Sequence, residues 1–366
     1  MKYIDDYRNP ETAKFIVKDI KKSAKILQDK DINVNIMEVC GSHTMAIARF
    51  GIRDLLPENI NLISGPGCPV CVTDSGYIDT AVKLAESGVI IATFGDMINV
   101  PGSEKTLAKC RAEGCRIEIC YSPSTAIDLA KKNPDKEVVF LAIGFETTMA
   151  PVICMIDSAV EESIKNISIL TAFKLVPPAL EALTSDPELR IDAFLCPAHV
   201  SAIIGEKAYE PFVQKYKIPC VIASFEPVDI LFGLNCILKQ IINKTPRVEN
   251  RYKRVVTHDG NKTAVELINK YLEPYDAAWR GIGVIPESGL KLKEKYSTIN
   301  TEFKLNVIVE KGKPNNACKC GDVLKGKIKP DECPLFGKAC SPINPIGPCM
   351  VSSEGSCAAY FKYSRH

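Results

Sequence analysis

EVVFLAIGFETT (137–148) runs through six consecutive apolar residues, Val138 to Ile143, and turns polar at Gly144. The run does not alternate, and it is far too short to span a membrane. That combination predicts a strand buried on both faces, as in the interior of a mostly parallel sheet. Short apolar runs recur along the chain, several of them continuous rather than alternating: INVNIMEV (32–39), NINLISG (59–65), GVIIATFG (88–95), CRIEICY (115–121), ISILTAF (167–173), AFLCPAH (193–199) and CVIASFEP (220–227). Helix-patterned segments such as SGYIDTAVKLAES (75–87) and SPSTAIDLAKKNPD (122–135) lie between them. Strand and helix in alternation predict an α/β fold with two side-by-side α/β domains and mostly parallel sheets.

A chain of 366 residues exceeds one comfortable core, so the eight strands are divided at the Asn-Pro-Asp turn of 133–135. The expected units are 34–122, 123–228 and a helical, loop-rich C-terminal domain over 229–366, packed with an N-terminal helix in 1–33. The composition, 46% apolar and 25% charged with a net charge of +2, gives no electrostatic reason to expect nucleic acid or an anionic membrane as partner. NRYKRVV (250–256) reads as a solvated basic face. The polar N-terminus lacks a signal-peptide core and no apolar run reaches membrane length, so a cytoplasmic protein is expected. In that compartment sixteen cysteines are better read as ligands or redox groups than as staples.

The segments just after the strands are unusual. The runs end in CGSHT (40–44), GPGCPVC (65–71), DMINVPG (96–102), GFETT (144–148), PAHVSAIIG (197–205) and FEPVD (225–229). Ligands of open parallel sheets bind beyond the carboxyl ends of the strands. Turn and cap chemistry accounts for Ser42 or Thr148 alone. It does not account for Cys40, His43, Cys68, Cys71 and His199 all occupying such ends. A Cys-x-x-Cys by itself leaves zinc, a cluster, a disulfide and a reversible dithiol open. The cysteines at 110, 115, 120, 154, 196, 220 and 236 lie inside helical or strand runs and read as small buried apolar residues.

Six more cysteines lie at 318, 320, 333, 340, 349 and 357. A disulfide framework is unsuited to a reducing compartment, and no close Cys-x₂₋₄-Cys pair of the zinc-ribbon type appears. Irregular spacing with Pro and Gly between the thiols suits a [4Fe–4S] cluster held by four thiolates. Cys318, Cys333, Cys340 and Cys357 are the expected four; Cys320 and Cys349 are spares, near enough to relay electrons or to pack beside the cluster.

Taken together, CGSHT, GPGCPVCVT, GFETT, PAHVSAIIG, FEPVD, GVIPESGLKL and the tail spacing C-x14-C-x6-C-x16-C resemble the HypD family of [NiFe]-hydrogenase maturation factors, from about residue 38 onward. The resemblance implies a scaffold that pairs stably with HypC and binds iron, on which two cyanides and one carbon monoxide are assembled. HypE would bring the cyanide as a carried thiocyanate, and the hydrogenase large subunit would receive the product. It also implies that Cys40 binds the iron, that Cys68 and Cys71 cycle between dithiol and disulfide, and that the four tail thiols hold the cluster. His43, His199, Glu146, Thr147 and Thr148 would carry protons or hydrogen-bond the cyanides. Ala198, Ser224 and Met45 depart from the family's commoner PGHVS, GFEPVD and His, and leave the thiols untouched. No G-x-G-x-x-G follows a strand and no Walker A loop is present. That weighs against the competing reading of a free-standing iron–sulfur oxidoreductase acting on a small molecule. A third reading is a structural metalloprotein with zinc in the tail.

Overall fold

The computed structural model of the protein describes residues 5–313 and 315–363. All eight apolar runs form strands: β1 (Val34–Glu38), β2 (Ile60–Ser64), β3 (Ile90–Thr93), β4 (Ile117–Ile119), β5 (Val138–Gly144), β6 (Ile167–Lys174), β7 (Ala193–Pro197) and β8 (Cys220–Ala223). Three further strands are β9 (Val248–Asn250), β10 (Leu272–Trp279) and β11 (Gly283–Leu292). One sheet has the order β2-β1-β7-β8-β9 with every pairing parallel. The other has the order β10-β11-β6-β5-β3-β4, parallel from β6 to β4. An antiparallel hairpin, β10–β11, extends it through β6. The fold is α/β with two mostly parallel sheets.

The chain does not fill the sheets in sequence order. It starts the first sheet with β1 and β2, builds the second with β3 to β6, returns for β7 to β9 and closes the second with β10 and β11. The turn at 133–135 therefore lies inside the second sheet, between the helix Ser124–Lys132 and β5, and does not separate the two sheets. A turn signal is local, whereas sheet membership depends on which apolar edges meet. The stretch from 229 onward also contributes β9 to one sheet and a hairpin to the other.

Every residue of β5 is buried, as its unbroken apolar run requires. Each such Val, Ile or Phe contributes about 1.5–3 kcal/mol relative to an exposed position. On the first sheet, the helix Pro10–Gln28 starts at Asn9, whose side chain accepts from the Glu11 and Thr12 amides. It buries Ile16, Ile20, Ala24 and Leu27 on one stripe. Its partner is the helix Pro227–Asn243, at the start of the 229–366 stretch, and together they cover the first sheet. The tail returns over the helix Ser75–Glu86, where Gly312 N donates to Asp74 Oδ1 at 2.9 Å. It then enters the space between the sheets in short turns. Among the described residues no helix is long and apolar enough to cross a membrane.

Candidate functional site

Cys40 follows β1 and stands at the N-terminus of the helix Gly41–Arg49. Its thiol lies near the backbone amides of Ser42 and His43, which a helix start leaves free and which favour a thiolate, without a capping hydrogen bond being made. Burial nevertheless pushes that thiol up to about 12, with the nearby Glu354 carboxylate adding to the effect. Glu354 comes from the tail, and Ser42 Oγ donates to its Oε1 at 2.6 Å. The Gly-Pro-Gly turn before the Cys-x-x-Cys rests on this segment: Gly41 N donates to Gly67 O at 3.0 Å. A Cβ on Gly67 would stand 2.2 Å from the Cys40 nitrogen, so only glycine permits the approach.

Cys68 caps a short helix, Pro69–Val72, and its sulfur accepts from the Cys71 amide at 3.3 Å. The two sulfurs are 2.7 Å apart, and both residues are buried free thiols. Beyond the pair, further thiols lie near enough to shift one another's protonation: Cys349 acts on Cys71, Cys320 on Cys349, and Cys318 on Cys320. All four thiols are raised above the ordinary cysteine value. Burial is the main cause for Cys71, whereas for Cys318 the Cys320 thiol outweighs burial.

Those thiols lead to a small, partly open pocket. Its walls include Cys318, Cys320, Cys333, Cys340, Cys349 and Cys357, with Val323, Leu335, Phe336 and Met350 as apolar lining. Among the described residues no three His, Cys, Asp or Glu side chains converge on a point suited to a single metal ion. Four ligands on one zinc must meet at one atom, whereas a [4Fe–4S] group takes one thiolate on each iron of a cube. A ring of thiols around an apolar-lined pocket is a donor set that a [4Fe–4S] group could use.

In front of the dithiol lies an open cleft between the carboxyl edges of the two sheets. Pro69 and Val70 line it from the first sheet, Phe94, Asp96, Met97, Ile143 and Thr148 from the second, and Ser352 and Glu354 from the tail. Ser352 Oγ donates to Asp96 Oδ2 at 2.8 Å, which ties the tail to the end of β3.

The HypD family model, described as "Hydrogenase formation hypA family", matches residues 11–364. The chain belongs to the HypD family of hydrogenase maturation factors. It is 44% identical to the hydrogenase maturation factor HypD of Azotobacter vinelandii, over 100% of this chain and 97% of that protein. It is 45% identical to a putative hydrogenase expression/formation protein of Methanocaldococcus jannaschii, over 96% and 97% of the two chains. Against HypD of Escherichia coli the identity is 41%, covering 99% and 98%.

The remaining expected residues of this HypD-family chain divide between the cleft and the interior. His43 is wholly buried, and its Nε2–H donates to the carbonyls of Ala223 at 3.0 Å and Ser224 at 3.1 Å. Those acceptors place the proton on Nε2, and the buried Nδ1 has no partner. Burial lowers the ring to about 4. Phe225 packs on His43 at 4.9 Å between ring centroids and on the exposed His199 at 4.4 Å. The FEPVD loop thus joins the CGSHT and PAHVS loops. Thr148 faces the cleft. Glu146 is buried away from it, with Oε1 accepting from Val176 N at 3.0 Å and Oε2 unpartnered. Burial raises this carboxyl to about 7. Thr147 is half-buried.

One expectation needs correction: Cys154 is exposed on its helix, which turns some positions outward, and Cys115 is partly exposed in the turn between a helix and β4. In the basic patch, Arg254 binds Asp229 at 2.5 Å behind the histidines, so that residue holds structure as well as facing solvent. Glu354 and Arg280, both beside the thiols, had no local signal in the sequence.

Proposed function

We propose that this protein assembles the Fe(CN)₂CO unit of the [NiFe] site together with HypC, taking cyanide from HypE and passing the product to the hydrogenase large subunit. The observation that carries the reading is the Cys68–Cys71 pair, its sulfurs 2.7 Å apart, with Cys349 and Cys320 standing between it and the pocket lined by the tail thiols. A redox path that ends in a cleft beside Cys40 is what reductive ligand chemistry on an iron substrate requires.

Cys40 offers a soft thiolate to iron, and its raised pKa means that it yields its proton only when a cation takes that place. A second thiolate from HypC would complete a site that one chain leaves open. Cleaving a carried thiocyanate to a thiol and cyanide takes up two electrons and one proton. Cys68 and Cys71 release two electrons and two protons as their S–S bond forms, which leaves one proton for the cleft. The same bond is then reopened by exchange with Cys349. A [4Fe–4S] group bound by Cys318, Cys333, Cys340 and Cys357 would supply electrons one at a time. The open cleft between the sheets offers room for the iron and its donor.

Infrared spectra of the protein isolated anaerobically with its small partner test this. Cyanide and carbonyl stretches are expected from the native pair and absent from Cys40→Ala. Bands that survive the substitution remove Cys40 from the iron. Bands absent from the native pair, with reductase activity on a small molecule, would favour the free-standing oxidoreductase.

A further inference from the structure

Arg280 follows β10 and is buried to 4% exposure. One terminal nitrogen, Nη1, donates to Pro101 O at 3.2 Å, and the buried Nε has no partner. Among the described residues no carboxylate forms an ion pair with it; its side-chain bond goes to the Pro101 carbonyl. A guanidinium stays charged under all ordinary conditions, and a buried charge without a counter-ion is strongly disfavoured. The fold nevertheless fixes this one in place. Its backbone N donates to Val72 O at 2.8 Å, at the end of the Cys-x-x-Cys helix. The next residue, Gly281, lies at φ +78° against the tail, where an added Cβ would stand 2.4 Å from Gly321 Cα. Arg280 is thus held between the dithiol helix and the segment Cys318–Gly321, and its charge reaches both Cys318 and Cys320.

We propose that Arg280 is the buried counter-charge of the tail cluster and holds its reduction potential up. The inference rests on the tail thiols carrying that cluster. Four thiolates make the bound group anionic, and reduction adds one further negative charge inside the protein. A fixed cation at close range stabilises the reduced state more than the oxidised one. It acts through charge, since Arg280 need not touch the substrate iron. Pairing with the cluster also explains why the fold tolerates an otherwise uncompensated cation.

The test is a redox titration of the cluster, followed by electron paramagnetic resonance, in the full-length protein, Arg280→Gln and Arg280→Lys. Removing the charge should lower the reduced-to-oxidised ratio at a fixed potential at least tenfold, about 59 mV for a one-electron couple. Arg280→Lys should stay close to the native value. An unmoved potential in Arg280→Gln with full iron content overturns the proposal and leaves the cluster assignment intact. Absence of iron and sulfide from the native protein removes both. Should Arg280→Gln fail to hold the cluster, Arg280→Lys decides. A retained cluster of native potential supports the charge, and a lost one shows that guanidinium shape is what is needed, which overturns the proposal.

Discussion

Ser42 Oγ and Glu354 Oε1 meet at 2.6 Å across 312 residues of sequence, and that bond sets a tail carboxylate beside the thiol of Cys40. A thiolate and a carboxylate side by side in a buried corner repel each other until a cation sits with them.

Glu354→Gln should therefore change two properties in opposite directions. With the carboxylate charge gone the Cys40 thiolate costs less, so alkylation of Cys40 in the metal-free protein should be several-fold faster by mass spectrometry. Iron(II) should at the same time bind more weakly, because a negative charge at the site is missing. Unchanged labelling would mean that burial alone holds the thiol.

Gly41→Ala probes the same contact by shape. A Cβ there would fall 2.4 Å from Glu354 Cβ and 2.7 Å from its carbonyl oxygen. The expected cost is about 1–3 kcal/mol in denaturant unfolding, the usual range for overpacking. Pairing the change with Glu354→Gly should recover part of the loss. Additive costs would place the strain elsewhere.

The strands could be read from the sequence because short apolar runs end in turn residues, and a strand covered on both faces, such as β5, writes its burial as one unbroken run, VVFLAI being the clearest. The hairpin β10–β11 escaped because LEPYDAAW and GVIPESGLKL mix buried with exposed positions and sit among helical material. The turn Arg280-Gly281-Ile282 between them was its one local mark, with Gly281 at positive φ. Sheet membership had no local mark at all, since the pairing of β1 with β7 joins residues over 150 positions apart. In the site, the thiols and histidines were visible as rare residue types at strand ends. Glu354 and Arg280 are common charged residues on a loop and a turn. Only packing sets one beside Cys40 and the other beside the tail thiols.

Cys349 stands between the dithiol and the thiol ring, near enough to both Cys71 and Cys320 to shift their protonation. Cys349→Ser should leave the iron and sulfide content near native and still allow Cys68 and Cys71 to form their disulfide with an external oxidant. Reduction of that disulfide by an electron donor that acts through the cluster should slow by about a hundredfold or more, because exchange needs a thiolate at that position. Thiol trapping at timed intervals measures it. An unchanged rate would mean that electrons bypass Cys349.

His43 and Glu146 make opposite contributions to stability as pH changes. Burial lowers His43 to about 4 from an ordinary 6.5, so the unfolded chain binds the extra proton in that window. Stability from this group is present above pH 6.5 and is lost as the pH falls toward 4, by roughly 3 kcal/mol in all. Glu146 is raised to about 7 from 4.5, so there the folded chain binds the extra proton. Its contribution is complete below pH 4.5 and is lost as the pH rises toward 7. Between pH 4.5 and 6.5 the two slopes oppose each other in the native protein. In urea unfolding across that range, His43→Gln should make stability fall more, or rise less, with pH than in the native protein. Glu146→Gln should make it rise more steeply. Slopes parallel to the native one in both variants would show that neither side chain is held in the protonation state its burial imposes.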